Sequence, residues 1–258
     1  MLNNINPTLI LILGLTIPGL LTGIGALPIF FTRNVSQKLL DTLLGGAAGV
    51  MLAATCFSLI LPSIEHGGND LKAVLITSAG ILFGGVFLDF IDKHSPHEHL
   101  LTKKHEGPVD NSLKKIWLFI IAITIHNIPE GMATGVAFGT DNMINGITIA
   151  LGIGLQNMPE GLAVALALVR ENYPVKKAFL IALLTGLVEP IGAILGYGMV
   201  SVFQQLLGFI LAFAGGAMLF VISDEIIPET HSNGYEREAT YGIMIGFVIM
   251  MILDITLG

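Results

Sequence analysis

The apolar residues of this chain are gathered into eight long blocks, and that clustering constrains the fold more than any single motif. The blocks fall near residues 8–31, 39–63, 72–91, 115–139, 144–169, 178–201, 205–227 and 239–257. Each is close to the ~20 mainly apolar residues that a helix needs to cross the hydrocarbon core of a bilayer. None alternates apolar and polar residues as a barrel strand does, so helices are the spanning elements the pattern allows. Charged residues make up 12% of the chain against 53% apolar, roughly half the charged share of a soluble domain. The expected architecture is an all-α integral membrane protein of eight transmembrane helices, a single domain over residues 1–258.

Orientation follows from the basic residues. With eight spans, the connections on one side hold Arg33, Lys38, Lys93, Lys103, Lys104, Lys114, Lys115, Arg170, Lys176, Lys177 and Arg237, and the other side holds only Lys72. The positive-inside rule then puts both termini outside and the 92–114 connection in the cytoplasm, with the cell (inner) membrane as the expected location. An odd number of spans would destroy this separation. No cleavable signal peptide is expected, because residues 1–8 carry no Lys or Arg and the apolar run behind them is too long for an h-region. Cys56 is the single cysteine, which rules out an intrachain disulfide or thiolate cluster. A net charge of −7 offers nothing to nucleic acid.

The 92–114 connection is the one long polar loop, and it carries His94, His97, His99 and His105, four of the seven histidines. A solvated linker is the ordinary reading of such a segment. Imidazoles at this spacing can also share an ion weakly, a reading that gains weight only if the membrane part handles metal.

Polar residues stand where lipid-facing ones would be expected. The fourth block contains Thr124-Ile-His126-Asn127-Ile-Pro129-Glu130-Gly131, and the fifth contains Leu155-Gln156-Asn157-Met-Pro159-Glu160-Gly161, the same frame 30 residues later. Residues 126 and 130 share one helical face, as do 156 and 160. A matched pair in mid-membrane suggests two halves related by pseudo-symmetry around one site. The sixth block adds Glu189-Pro190. A charged side chain at the bilayer centre costs roughly 3 kcal/mol on the insertion scale. Three glutamates therefore need a cation, protons or a water-filled cavity. Lone polar residues usually only join helices by hydrogen bonds, but two paired motifs exceed that.

The prolines should kink these helices, because Pro129, Pro159 and Pro190 leave the carbonyls of Ile125, Leu155 and Gly186 without their usual partners. Imidazole points to a first-row transition metal or its heavier analogue, whereas an all-oxygen set would suit magnesium or sodium. Met51 and Met218 lie in similar settings and could reach a soft metal, although methionines there are more often packing.

The paired His126-Asn127-Ile-Pro129-Glu130-Gly131 and Gln156-Asn157-Met-Pro159-Glu160-Gly161 resembles the signature of the ZIP (Zrt/Irt-like) metal transporters, and the chain is similar to the prokaryotic, short-loop branch over its whole length. The resemblance implies a 3+2+3 helix arrangement with pseudo-symmetry and a two-metal site between helices 4, 5 and 6. It implies one metal at His126, Glu130, Gln156 and Glu160, with Met51 nearby. It implies a second at Asn127, Glu130, Asn157, Glu160 and Glu189, bridged by Glu130 and Glu160. Asn157 stands where some members have Asp, and Asp224 where His is common. The metal is substrate, zinc first, with cadmium, iron and manganese as further candidates, and no cofactor is expected.

Two flanking sets complete the reading. Met51, Ser58 and Glu65 recur at steps of seven, so that Ser58, Glu65 and His66 could line an outer entrance, with a polar helix end as the plain alternative. Asp89, Glu225, Glu229 and His231 are candidates for a cytoplasmic release site, against which stands the reading of ordinary charged helix ends. An intramembrane metalloprotease is a rival from another class, but its His-Glu-x-x-His signature is absent. A proton-coupled solute carrier using the three glutamates is a second rival. The expected partners are divalent metal ions and the lipid bilayer, and a homodimer is left open.

Overall fold

The computed structural model describes residues 6–32, 34–94, 112–140, 142–170 and 172–257, and every regular element among them is helical. Helix α1 (Pro7–Ala26) leads into a 3₁₀ turn, Leu27–Phe30. Helix α2 (Gln37–Ala54) passes through a π-helical stretch, Thr55–Ile60, into α3 (Leu61–His66). Then come α4 (Leu71–His94), α5 (Ser112–Gly139) and α6 (Met143–Arg170). Helices α7 (Val175–Gly186) and α8 (Glu189–Val202) follow. Helix α9 (Leu207–Val221) passes through a second π stretch, Ile222–Ile226, into α10 (Ile227–Thr230), and α11 (Glu236–Leu257) closes the chain. The starts are capped by short polar side chains: Asn6 accepts from the Thr8 amide at 2.9 Å, Ser36 from Leu39 at 3.2 Å and Asp70 from Ala73 at 2.7 Å.

Seven stretches among the described residues are long and apolar enough to cross a bilayer: Pro7–Phe30, Gln37–His66, Leu71–Phe90, Met143–Arg170, Val175–Val202, Leu207–Thr230 and Glu236–Thr256. Helix α5, at 28 residues, is an eighth of spanning length. The protein is thus an all-helical integral membrane protein, and the blocks read from sequence sit on these helices to within a few residues. One differs in kind. The block at 178–201 is not a continuous helix but two, broken at Leu187-Val188. The proline effect is likewise uneven, since α5 and α6 continue as α-helix through Pro129 and Pro159. The residue whose carbonyl Pro190 cannot serve is Gly186, a weak helix former, whereas Ile125 and Leu155 hold that place in α5 and α6. Missing donor and poor propagator coincide at this break, yet they do so at Gly14 and Pro18 as well, where α1 stays continuous, so the pair permits a break without forcing one.

Of those seven stretches α6 is the most enclosed, 78% buried over its apolar part against 28% for the third span and 22% for the last. It is therefore central, while α4 and α11 face outward; Leu82, Phe83 and Val86 of α4 stay exposed, as a lipid-facing surface requires. The most extensive helix pairings are α2 with α11, α5 with α8, α1 with α6, and α4 with α9. They rest on backbone approach at glycines. A Cβ on Gly131 would land on the Glu189 carbonyl of α8, and one on Gly161 would land on the Thr22 carbonyl of α1. The second residue of each Glu-Gly pair thus draws a neighbouring backbone up to the glutamate before it.

Candidate metal centre

The paired motifs converge in the middle of the bundle. Helix α5 carries Asn127 and Glu130, α6 carries Gln156, Asn157 and Glu160, and Glu189 opens α8, where the positive end of the helix dipole favours a carboxylate. All six are buried, Glu130 completely and Glu160 to within 5%. The Gln156 Nε2 donates to Glu130 Oε1 at 2.5 Å and so ties α6 to α5. Asn157 Nδ2 donates to Glu189 Oε1 at 2.7 Å and to the Pro18 carbonyl at 2.9 Å, joining α6 to α8 and α1. Asn127 Nδ2 donates to the Thr185 carbonyl at 2.9 Å, joining α5 to α7. The carboxylates of Glu130, Glu160 and Glu189 act electrostatically on one another, and Glu225 acts on Glu130.

With the amide N–H groups engaged, the oxygens remain. Asn127 Oδ1, Gln156 Oε1 and Asn157 Oδ1 have no hydrogen-bond donor among the described residues, while Thr22 joins Asn157 in interacting with the Glu189 carboxylate. A buried acceptor left without a donor costs about 1–3 kcal/mol, and three amide oxygens around three carboxylates form a strongly electronegative interior. This donor set suits a divalent cation. Among the described residues, no three His, Cys, Asp or Glu side chains meet as a metal site by themselves. His126 lies on α5, and its side chain falls outside the described residues.

The other expected residues divide. Met51 and Met218 share one apolar cluster with Ile149, Ile153 and Val136, an ordinary packing environment. At one end of the bundle, Glu65 and His66 line a cavity of about 630 Å³ together with Thr140, Asn142, Asn145 and Asp254. Ser58 is buried, donates to Asp254, and offers its carbonyl to Asn145 at 3.4 Å. Asp254 was missed in the sequence because it closes an otherwise apolar block; a lone acid inside a spanning helix was the available signal. Toward the other end, Asp89 pairs with Lys93 of its own helix at 2.7 Å. Both ring nitrogens of His231 are taken, Nδ1 by Thr230 and the Ile227 carbonyl and Nε2 by Thr240, at 2.9–3.1 Å. These bonds fix the orientation of the His231 ring between α10 and α11. Glu229 is partly buried on α10. Asp41, also missed, is fully buried and accepts from Gln37 at 2.7 Å and Asn233 at 3.2 Å. His97, His99 and His105 lie outside the described residues, and so does the side chain of His94 at the end of α4.

A multi-span helical protein with glutamates and amides converging at its centre is, by fold and site, a membrane protein built around a polar interior. The family described as ZIP Zinc transporter matches residues 91–254. The chain is 46% identical over 244 residues to a zinc transporter GufA of Myxococcus xanthus, covering 93% of this chain and 96% of that one. It is 44% identical over 241 residues to a zinc transporter ZIPB of Bordetella bronchiseptica, covering 92% and 78%. It is 31% identical over 322 aligned positions to a zinc transporter ZIP11 of Homo sapiens, covering 92% and 94%. The chain belongs to the ZIP family of zinc transporters and is a transporter, not an enzyme.

Proposed function

We propose that this protein carries divalent transition-metal ions toward the cytoplasm through the cluster between α5, α6 and α8, with zinc as the first substrate and cadmium, iron and manganese as further candidates. The observation that carries the reading is the set of donorless buried oxygens around Glu130, Glu160 and Glu189. The transport position is formed by Glu130, Glu160 and Gln156 together with His126. The Gln156 amide supports this assignment by fixing the Glu130 carboxylate within the cluster. The second position carried by the family resemblance would use Asn127, Asn157 and Glu189, with Glu130 and Glu160 shared with the first.

The outer cavity, with Glu65, His66 and Asp254, serves as the entrance. Both termini lie outside and the 92–114 connection lies in the cytoplasm, as the basic residues indicate. The helix pairings support a 3+2+3 arrangement. Exchanging the first three spans with the last three, and α5 with α6, converts the α2–α11 pairing into α4–α9 and the α5–α8 pairing into α1–α6. The test is uptake by proteoliposomes holding the purified chain, with zinc, cadmium, iron(II), manganese and magnesium in turn. Zinc accumulation that depends on Glu130 supports the reading, and vesicles no more permeable than protein-free ones would refute it.

A further inference from the structure

The two motif asparagines are held differently, and the difference bears on how many ions the centre takes. Asn127 spends its N–H group on one backbone carbonyl, that of Thr185. Asn157 spends its own on a backbone carbonyl, that of Pro18, and on a carboxylate oxygen, Glu189 Oε1. The orientation of the Asn157 amide is dictated by its neighbours, because the Pro18 carbonyl can only accept. The partial positive charge of the amide therefore faces Glu189, on the side where an ion shared by Asn157 and Glu189 would sit. Turning the amide to offer Oδ1 there would break both bonds and press an oxygen against two acceptors.

Resting on the proposed mid-membrane site, we infer that Asn157 is a built-in cross-link that closes the second ion position, so that the centre binds one divalent ion rather than two. The N–H group supplies the positive partner that an ion would otherwise supply to Glu189. It also holds α1, α6 and α8 together whether or not metal is bound. Asp at this position would face the Pro18 carbonyl and Glu189 with oxygens alone, an arrangement that needs a cation to hold it. Asn157 is thus a positioning residue that sets stoichiometry.

The test uses the full-length protein in nanodiscs with zinc as probe, in the background His94→Ala, His97→Ala, His99→Ala and His105→Ala to silence the loop. Bound zinc is measured at equilibrium, and the central count is the amount lost when Glu130→Ala is added. The expected count is one, rising to two in Asn157→Asp. In chelator, Asn157→Asp should unfold at a lower temperature than its parent and recover with zinc. Glu189→Gln, which keeps an acceptor for the amide, should retain one central zinc and the parent's stability in chelator. A central count of two in the parent overturns the cross-link alone. So does an Asn157→Asp protein unchanged in both count and chelator stability, or loss of the single ion in Glu189→Gln. A count that Glu130→Ala does not alter overturns the central metal site, and this inference with it.

Discussion

Acidic side chains gather at two places in this molecule, and the two treat water in opposite ways. At the centre, Glu130, Glu160 and Glu189 are buried, and amides hold Glu130 at 2.5 Å and Glu189 at 2.7 Å. At one end of the bundle, Glu65 and His66 are exposed, and Asp254 is partly buried beside a cavity of about 630 Å³. A charge in the first setting interacts through a medium of low polarity and depends on particular partners. A charge in the second is screened by water and salt beyond a Debye length of about 8 Å at physiological ionic strength. The centre should therefore determine which ion is bound, and the cavity how often one arrives.

The strongest way to break this contrast is Glu130→Ala or Glu160→Ala. Either change should reduce zinc uptake to background while the protein still inserts and elutes as the parent does; normal uptake would remove these residues from the transport position. Gln156→Ala comes next. Hydrogen bonds to charged groups contribute about 1.5–3 kcal/mol, so losing the 2.5 Å clamp on Glu130 should weaken zinc affinity by roughly ten- to a hundredfold. Isothermal titration would measure it, and an unchanged affinity would show that the clamp does not order the site. At the cavity, Asp254→Asn should raise the apparent KM about two- to fivefold, in line with the under ~1 kcal/mol of exposed charge interactions. That increase should fade in high salt, and one indifferent to salt would make Asp254 a ligand rather than an attractor. Replacing His94, His97, His99 and His105 together should have the smallest effect, a modest change in apparent affinity with flux preserved. Complete loss of flux in the inserted variant would make the loop essential.

Much of this was legible in the sequence, for reasons that differ residue by residue. The apolar blocks specify helices because a bilayer offers the backbone no other way to satisfy its polar groups. The repeated Pro-Glu-Gly frame located Glu130 and Glu160 because ionisable residues inside such blocks are too costly to be incidental. The holding of the site was not legible. Pro18 and Thr185 contribute only backbone carbonyls, which carry no signature in a side-chain sequence. The break before Glu189 was not legible either, because α1 stays helical with the same spacing of Gly14 and Pro18 as that of Gly186 and Pro190. Nor were the partners of His231, Thr230 and Thr240, since the second lies nine residues away on another helix.

The two π stretches carry a consequence for comparing the halves of this protein with each other. A π turn takes in an additional residue without adding a turn, and such insertions are known as single-turn bulges within α-helices. Eleven positions separate Met51 from Pro62 and ten separate Met218 from Pro228, and the first π stretch is six residues long where the second is five. The extra residue is absorbed inside the helix rather than in a loop. An ungapped overlay of the halves that matches Met51 with Met218 therefore falls out of register by one before it reaches the prolines. Any alignment that forbids gaps in helices will pair the polar residues of these segments with the wrong counterparts, and the ancestry of the two halves will look weaker than their geometry.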